Sequence, residues 1–377
     1  MNATGLARRI IKVAEKLIIA ACFLTPAFVV SLDRTWWYEW LFAHKASSMQ
    51  SASKSVMPSA SMFFALISLA SLAWHFPSWI IARFRLHNPP RDVLRTTFER
   101  LDLRDKLGDG VFGKRWVKVL GNTPGNQLHL IDTSYHEVSV PRLASSHDGL
   151  KLGHFSDVHL TGLMSFEYYR EVIDRLMATQ PDAILFTGDL IDYDSCLDQV
   201  QPLLESVDAS LGCYFVLGNH DRRLKNVARL RLMLVELGWH DLGAAPRSVV
   251  HADDEIYFIG IERPWFENPI RNVLEKNTIL QRKQAPLRIG LSHSPDQIQW
   301  ARKLELDLLF CGHTHGGQVR LPWLGPIVAP SRYGSRYASG WFKCSPTLMH
   351  VSRGISGTHP LRVACSPEVS SIVVRKV

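Results

Sequence analysis

Three observations predict an α/β fold of two packed, mixed β-sheets flanked by helices, preceded by a two-helix membrane segment. Between Lys151 and Pro246, apolar runs of strand length alternate with stretches of helical spacing. After Pro246 short strand-like runs follow one another: Val249-Val250, Ile256 to Ile261, Leu287 to Leu291 and, at the end, Val369 to Val374. Four apolar runs also stop at Asp, His or Asn, and in open α/β sheets the carboxyl ends of strands are where ligands bind.

In chain order, Arg8, Arg9 and Lys12 precede an apolar run from Leu17 to Leu32, short against the ~20 residues that usually span a bilayer. Lys16 and Arg34 can snorkel, and Trp36, Trp37, Tyr38 and Trp40 suit an interfacial belt. A Ser-rich stretch, Ser47 to Ser61, leads to a second apolar run, Met62 to Ala82, followed by Arg83, Arg85, Arg91 and Arg95. Residues 1–88 thus read as a membrane-anchor region. Two spans with basic residues outside both place the following domain in the cytoplasm. The alternatives are an exported or singly anchored chain with the first run as signal peptide, although no good small-x-small cleavage site directly follows it, and a purely peripheral leader.

Residues 89–127 read as a linker, with Val93, Leu94, Phe98, Leu101 and Leu103 spaced for an amphipathic helix, on the membrane surface or in an ordinary linker. From residue 128 a catalytic domain is expected to run to 377. Leu128 to Ile131 and His136 to Val140 suggest an antiparallel pair or edge strands, Glu167 to Met177 a helix, and Leu197 to Val207 and Val227 to Leu237 two more.

Charge and cysteines narrow the function. The net charge is +8, but residues 1–100 hold 12 Lys+Arg against 5 Asp+Glu, leaving 31 against 30 elsewhere. A nearly neutral catalytic part argues against nucleic acid as a stable partner. The six cysteines form no CxxC spacing and read as small buried hydrophobes.

The four strand ends carry the chemistry. They are Asp157-Val158-His159, Gly188-Asp189, Gly218-Asn219-His220-Asp221 and Gly312-His313-Thr314-His315, with His293 ending a further run. Asp, His and Asn supply oxygen and neutral imidazole donors to divalent cations. In Asp157-x-His159 both side chains leave one face of an extended segment, so both can reach one ion.

This ordered set resembles the calcineurin-like metallophosphoesterases, over residues 128–377. The continuation Gly312-His313-Thr314-His315-Gly316-Gly317-Gln318-Val319, with Tyr333-Gly334 and Val351-Ser352-Arg353-Gly354, is similar to a bacterial membrane-associated branch that includes UDP-2,3-diacylglucosamine pyrophosphatases of lipid A synthesis. The resemblance implies the metallophosphatase four-layer sandwich and a hydrolase with two divalent metal ions, Mn²⁺ foremost, Fe or Zn²⁺ as alternatives. It assigns Asp157, His159 and His315 to the first ion, Asp189 as a bridge, and Asn219, His293 and His313 to the second. It makes His220 the catalytic residue beside the phosphate, oriented by Asp221. A hydroxide between the ions would attack phosphorus in line. Arg222 and Arg353 are candidate substrate contacts, each with solvated or structural placement as the plainer reading.

The expected substrate is a lipid-linked phosphodiester or pyrophosphate at the membrane, with UDP-2,3-diacylglucosamine as the concrete candidate. A general phosphodiesterase or phosphatase on phospholipid, cell-envelope or nucleotide substrates is the alternative, and a non-catalytic metal-binding scaffold the third.

Overall fold

The computed structural model describes residues 89–267, 287–322, 325–326 and 328–376, with a few helical positions between 69 and 80. The chain divides into two compact units, Met1–Ala82 and Arg83–Val377. The expected spans at 17–32 and 62–82 fall almost entirely outside the described residues. Among the described residues no helix is long and apolar enough to cross a membrane.

The strands of the second unit begin with β1 (Val93–Asp102), β2 (Leu130–Ser139), β3 (Lys151–Phe155), β4 (Ala183–Phe186), β5 (Cys213–Phe215) and β6 (Trp239–Asp241). Then come β7 (Arg247–His251), β8 (Asp254–Ile261), β9 (Leu287–Ser292), β10 (Leu308–Cys311), β11 (Arg320–Leu321) and β12 (Gly325–Pro326). Last are β13 (Gly340–Cys344), β14 (Thr347–Val351) and β15 (Glu368–Arg375). One sheet runs β1-β2-β15-β3-β4-β5-β6, the other β13-β14-β10-β9-β8-β7, and β11 pairs with β12 alone. Both large sheets are mixed, as expected.

Alternation along the strands explains the layering. Leu152, Ala183, Leu185 and Tyr214 face the second sheet, where Ile256, Phe258, Ile289, Leu291, Leu308 and Phe310 meet them in one buried cluster. Their neighbours Phe155, Ile184, Phe186 and Phe215 face outward and are covered by helix α1 (Phe166–Met177) through Tyr168, Val172 and Leu176. Ser165 caps α1 by accepting from the Tyr168 N–H. Helix α2 (Val227–Glu236) buries Leu230 and Leu234 under a cap from Asn226. On the far side Ile298 and Ala301 cover Tyr257, Ile259, Leu309 and Met349. The order is helix, sheet, sheet, helix.

Two local expectations are corrected. The stretch from Val93 to Leu103, read as an amphipathic helix, is β1, paired antiparallel with β2 from Val93 to Asp102. It is an edge strand whose residues from Leu94 to Arg100 are all exposed, so no inward-outward alternation marks it. The two short strands expected at 128–140 are one strand, β2, parallel to β15.

Strands β3, β4, β5 and β6 run parallel, as do β8, β9, β10 and β14. Their carboxyl ends meet at one edge of the sandwich. The Asp157 N–H donates to the Gly188 carbonyl, the Gly312 N–H to His293, and the Ile355 N–H to Ser156.

Candidate metal centre

Each loop at that edge turns sharply straight after its strand. Asp157, His159, Asp189, His313 and His315 all adopt positive φ, between 48° and 71°. For residues other than glycine this costs roughly 1–3 kcal/mol each, and such strain collects at functional sites. Glycine supplies the close approaches. A Cβ on Gly218 would sit 2.1 Å from Asp189 Oδ1, and one on Gly312 would sit 1.8 Å from Ser156 Oγ and 2.3 Å from Asp157 Oδ2.

The turns bring six predicted side chains into two adjacent groups, Asp157-His159-His315 and Asp189-His293-His313, whose ligand atoms lie within 4.8 Å of one another in each group. His315 Nε2 is 3.5 Å from Asp157 Oδ1, and His293 Nε2 is 3.2 Å from Asp189 Oδ2. Asp189 Oδ2 is also 3.6 Å from His159 Nε2, which places this carboxylate between the groups. The seventh side chain, Asn219, has its Oδ1 3.2 Å from His293 Nε2.

Three of the histidines are aimed by what holds their Nδ1. His159 Nδ1 lies 2.7 Å from Asp192 Oδ2, His293 Nδ1 2.7 Å from the Thr187 carbonyl, and His315 Nδ1 3.1 Å from the Ser356 carbonyl. With Nδ1 donating, Nε2 keeps its lone pair, which is how ligating imidazoles are commonly fixed. His159 Nε2 and Asp189 Oδ2 are buried without any hydrogen-bond partner. Buried polar atoms are rarely left so, and two facing orphans with an oxygen and imidazole donor set fit a divalent cation.

The buried carboxylates and imidazoles shift one another in opposite directions. Burial opposes charge on Asp189, yet His293 and His159 hold its carboxyl well below the usual range. Burial likewise opposes charge on His293, but Asp189 and Asp157 raise it to about 9. Burial pushes His313 down to about 4 and His315 to about 3, leaving neutral imidazoles.

His220 stands beside the first group, its ring centroid 4.6 Å from that of His159. Its orienting partner is not Asp221. His220 Nδ1 hydrogen-bonds to Asp192 Oδ1, so Asp192 serves both His220 and His159. Asp221 is fully buried, and its carboxylate accepts from the N–H groups of Asp189, Leu190, Ile191 and Gly218. It braces the turns that carry Asp189 and Asn219.

Arg353 takes the structural placement given as its plainer reading. Its guanidinium pairs with Glu368 at 2.6 Å and Asp132 at 3.1 Å inside the fold. Arg222 is exposed on the turn after His220, and its neighbour Arg223 reaches His220 Nδ1 at 2.9 Å. Trp265 lies 5.1 Å and 5.0 Å between centroids from His293 and His313. Sequence reading passed over Asp192 and Arg362. Asp192 carried a signal, three residues beyond Asp189 in Gly188-Asp189-Leu190-Ile191-Asp192. Arg362 carried none.

A sandwich of two mixed sheets with acidic and imidazole donors on converging strand ends defines a metal-dependent hydrolase. The chain belongs to the calcineurin-like phosphoesterases, whose family model matches residues 150–317. It is 30% identical over 252 residues to the uncharacterized metallophosphoesterase YkuE of Bacillus subtilis, covering 66% of this chain and 86% of that one. The phosphodiesterase YaeI of Escherichia coli is 26% identical over 65% of this chain and 90% of its own. The UDP-2,3-diacylglucosamine pyrophosphatase LpxG of Chlamydia trachomatis is 25% identical over 61% and 85%. The chain is therefore a metallophosphoesterase, a hydrolase of phosphoester bonds.

Proposed function

We propose that the chain hydrolyses a phosphodiester or pyrophosphate bond in a lipid-linked substrate, with two divalent cations, Mn²⁺ foremost. The observation that carries the metal-dependent chemistry is the pair of orphaned buried atoms, His159 Nε2 and Asp189 Oδ2, between two groups of donors. Asp157, His159 and His315 would hold one cation, and Asn219, His293 and His313 the other, with Asp189 shared. When bound, such cations activate water and offset the charge that develops on a phosphoryl group. The chain's own residues supply the rest. Asp192 holds His220 by Nδ1, which leaves the other ring nitrogen to carry a proton for the leaving oxygen. Arg223, and Arg222 beside it, add positive charge at the mouth, suited to phosphate.

Three features support a membrane-bound substrate. The two apolar runs before residue 83 suit an anchor in the inner membrane, with the domain on the cytoplasmic side. Trp116, Val119 and Leu120 are 50%, 66% and 41% exposed beside Lys114, Arg115 and Lys118, a composition suited to an anionic lipid surface. One relative is named for cleaving UDP-2,3-diacylglucosamine. The test is an assay of purified protein with Mn²⁺. Release of UMP from UDP-2,3-diacylglucosamine is expected. Brisk cleavage of soluble diesters with no turnover of any UDP-lipid would replace this reading with a general phosphodiesterase, as would an external position of the C-terminus in a reporter fusion.

A further inference from the structure

Arg362 is the largest buried cation that the site as described leaves unused. Its side chain is wholly buried, and among the described residues its guanidinium makes no ion pair. It meets carbonyl oxygens instead. One terminal nitrogen donates to Arg353 at 2.7 Å and His315 at 3.3 Å, the other to Ser356 at 2.5 Å and Gly354 at 3.5 Å. The backbone N–H of Arg362 donates to Asn126 Oδ1. Burying an unpaired charge is costly, so the position calls for a role.

The Ser356 carbonyl supplies it. That oxygen also accepts from His315 Nδ1 at 3.1 Å. The segment around it is tied to the first strand end, since the Ser356 N–H donates to the Asp157 carbonyl. One guanidinium thus grips both the backbone of His315 and the acceptor that sets the tautomer and aim of its imidazole. We infer that Arg362 is a positioning residue for the first cation group: through Ser356 it keeps His315 Nε2 turned toward Asp157. A planar fork with several fixed donors does this, whereas a lysine, a point charge on a flexible stem, holds one carbonyl at a time.

The inference rests on the two-cation reading, and the experiment separates the two. The full chain and its Arg362→Lys variant are titrated with Mn²⁺, followed by calorimetry and electron paramagnetic resonance. The wild type binds two ions. In Arg362→Lys the affinity for one ion falls about 10- to 100-fold, the usual cost of losing a group that orients a ligand, while the other stays and the metal-free melting temperature holds. Tyr168→Phe is the control. It removes the Tyr168 hydroxyl from the Ile355 carbonyl, in the same segment but off the Ser356 oxygen, and leaves both affinities unchanged. Wild-type affinity for both ions in Arg362→Lys overturns the inference, as does equal loss of both ions in Arg362→Lys and Tyr168→Phe. A wild-type chain that takes up no Mn²⁺ sinks the two-cation reading itself. Nitrogen-15 spectra of the wild type test the point without a variant: His315 carries its proton on Nδ1 and the Arg362 guanidinium protons exchange slowly. An Nε2–H tautomer overturns it.

Discussion

The carboxylate of Asp192 meets His159 Nδ1 at 2.7 Å, and its second oxygen takes Nδ1 of His220. One side chain therefore aims both a candidate ligand and the candidate proton carrier. Burial opposes its charge, but the two histidines hold its carboxyl far below the usual range. Asp192→Asn is expected to lower turnover of a soluble diester about 10- to 100-fold, with a matching loss of metal affinity. Steady-state kinetics across a Mn²⁺ series check this. Unchanged kinetics would return the orienting role to another group.

Asp221 predicts the opposite phenotype. Replacing it by Ala leaves four buried N–H groups without their acceptor, each costing roughly 1–3 kcal/mol. Urea denaturation is expected to show a loss of about 3 kcal/mol or more, larger than for Asp192→Asn. A variant as stable as wild type would contradict the bracing role.

Arg353→Met strips both Asp132 and Glu368 of a buried partner. The expected cost is about 3–5 kcal/mol of stability, with KM for a soluble phosphodiester unchanged at a temperature where the variant stays folded. A raised KM at full stability would restore Arg353 as a substrate contact.

The inter-sheet core holds three histidines whose rings pack together, His136, His154 and His350. Burial lowers His136 to about 4 and His154 to about 3, and holds His350 well below its ordinary value. In the unfolded chain each titrates near 6.5. The unfolded state therefore binds more protons between those values, and stability falls as pH drops below about 6.5. Each histidine contributes a slope of up to ~1.4 kcal/mol per pH unit. Urea midpoints measured with chelator from pH 7.5 to 5 should fall, and His350→Gln should flatten the slope. Parallel slopes in the two proteins would remove the assignment.

The side chains that meet as candidate donors were legible because each one sits at or just past a strand end, where a local apolar run announces it. The partners that aim them were not. Ser356 and Thr187 act through backbone carbonyls, and Arg362 through contacts with carbonyls only, so no residue type marks them. The resemblance gave Asp221 the orienting role, whereas the turn sends its carboxylate inward to backbone donors. The role of Arg353 stayed open in the sequence because Asp132 reaches it from more than two hundred positions away. β1 was misread because it is an edge strand on which Leu94 and Phe98 are both exposed, so no alternation marks it.

We propose that seven side chains on converging strand ends hold two cations. Anomalous diffraction from crystals grown with Mn²⁺ measures it directly. Two peaks are expected, one beside Asp157, His159 and His315, the other beside Asn219, His293 and His313, with Asp189 between them. No peak at either group, or a single peak away from Asp189, would contradict it.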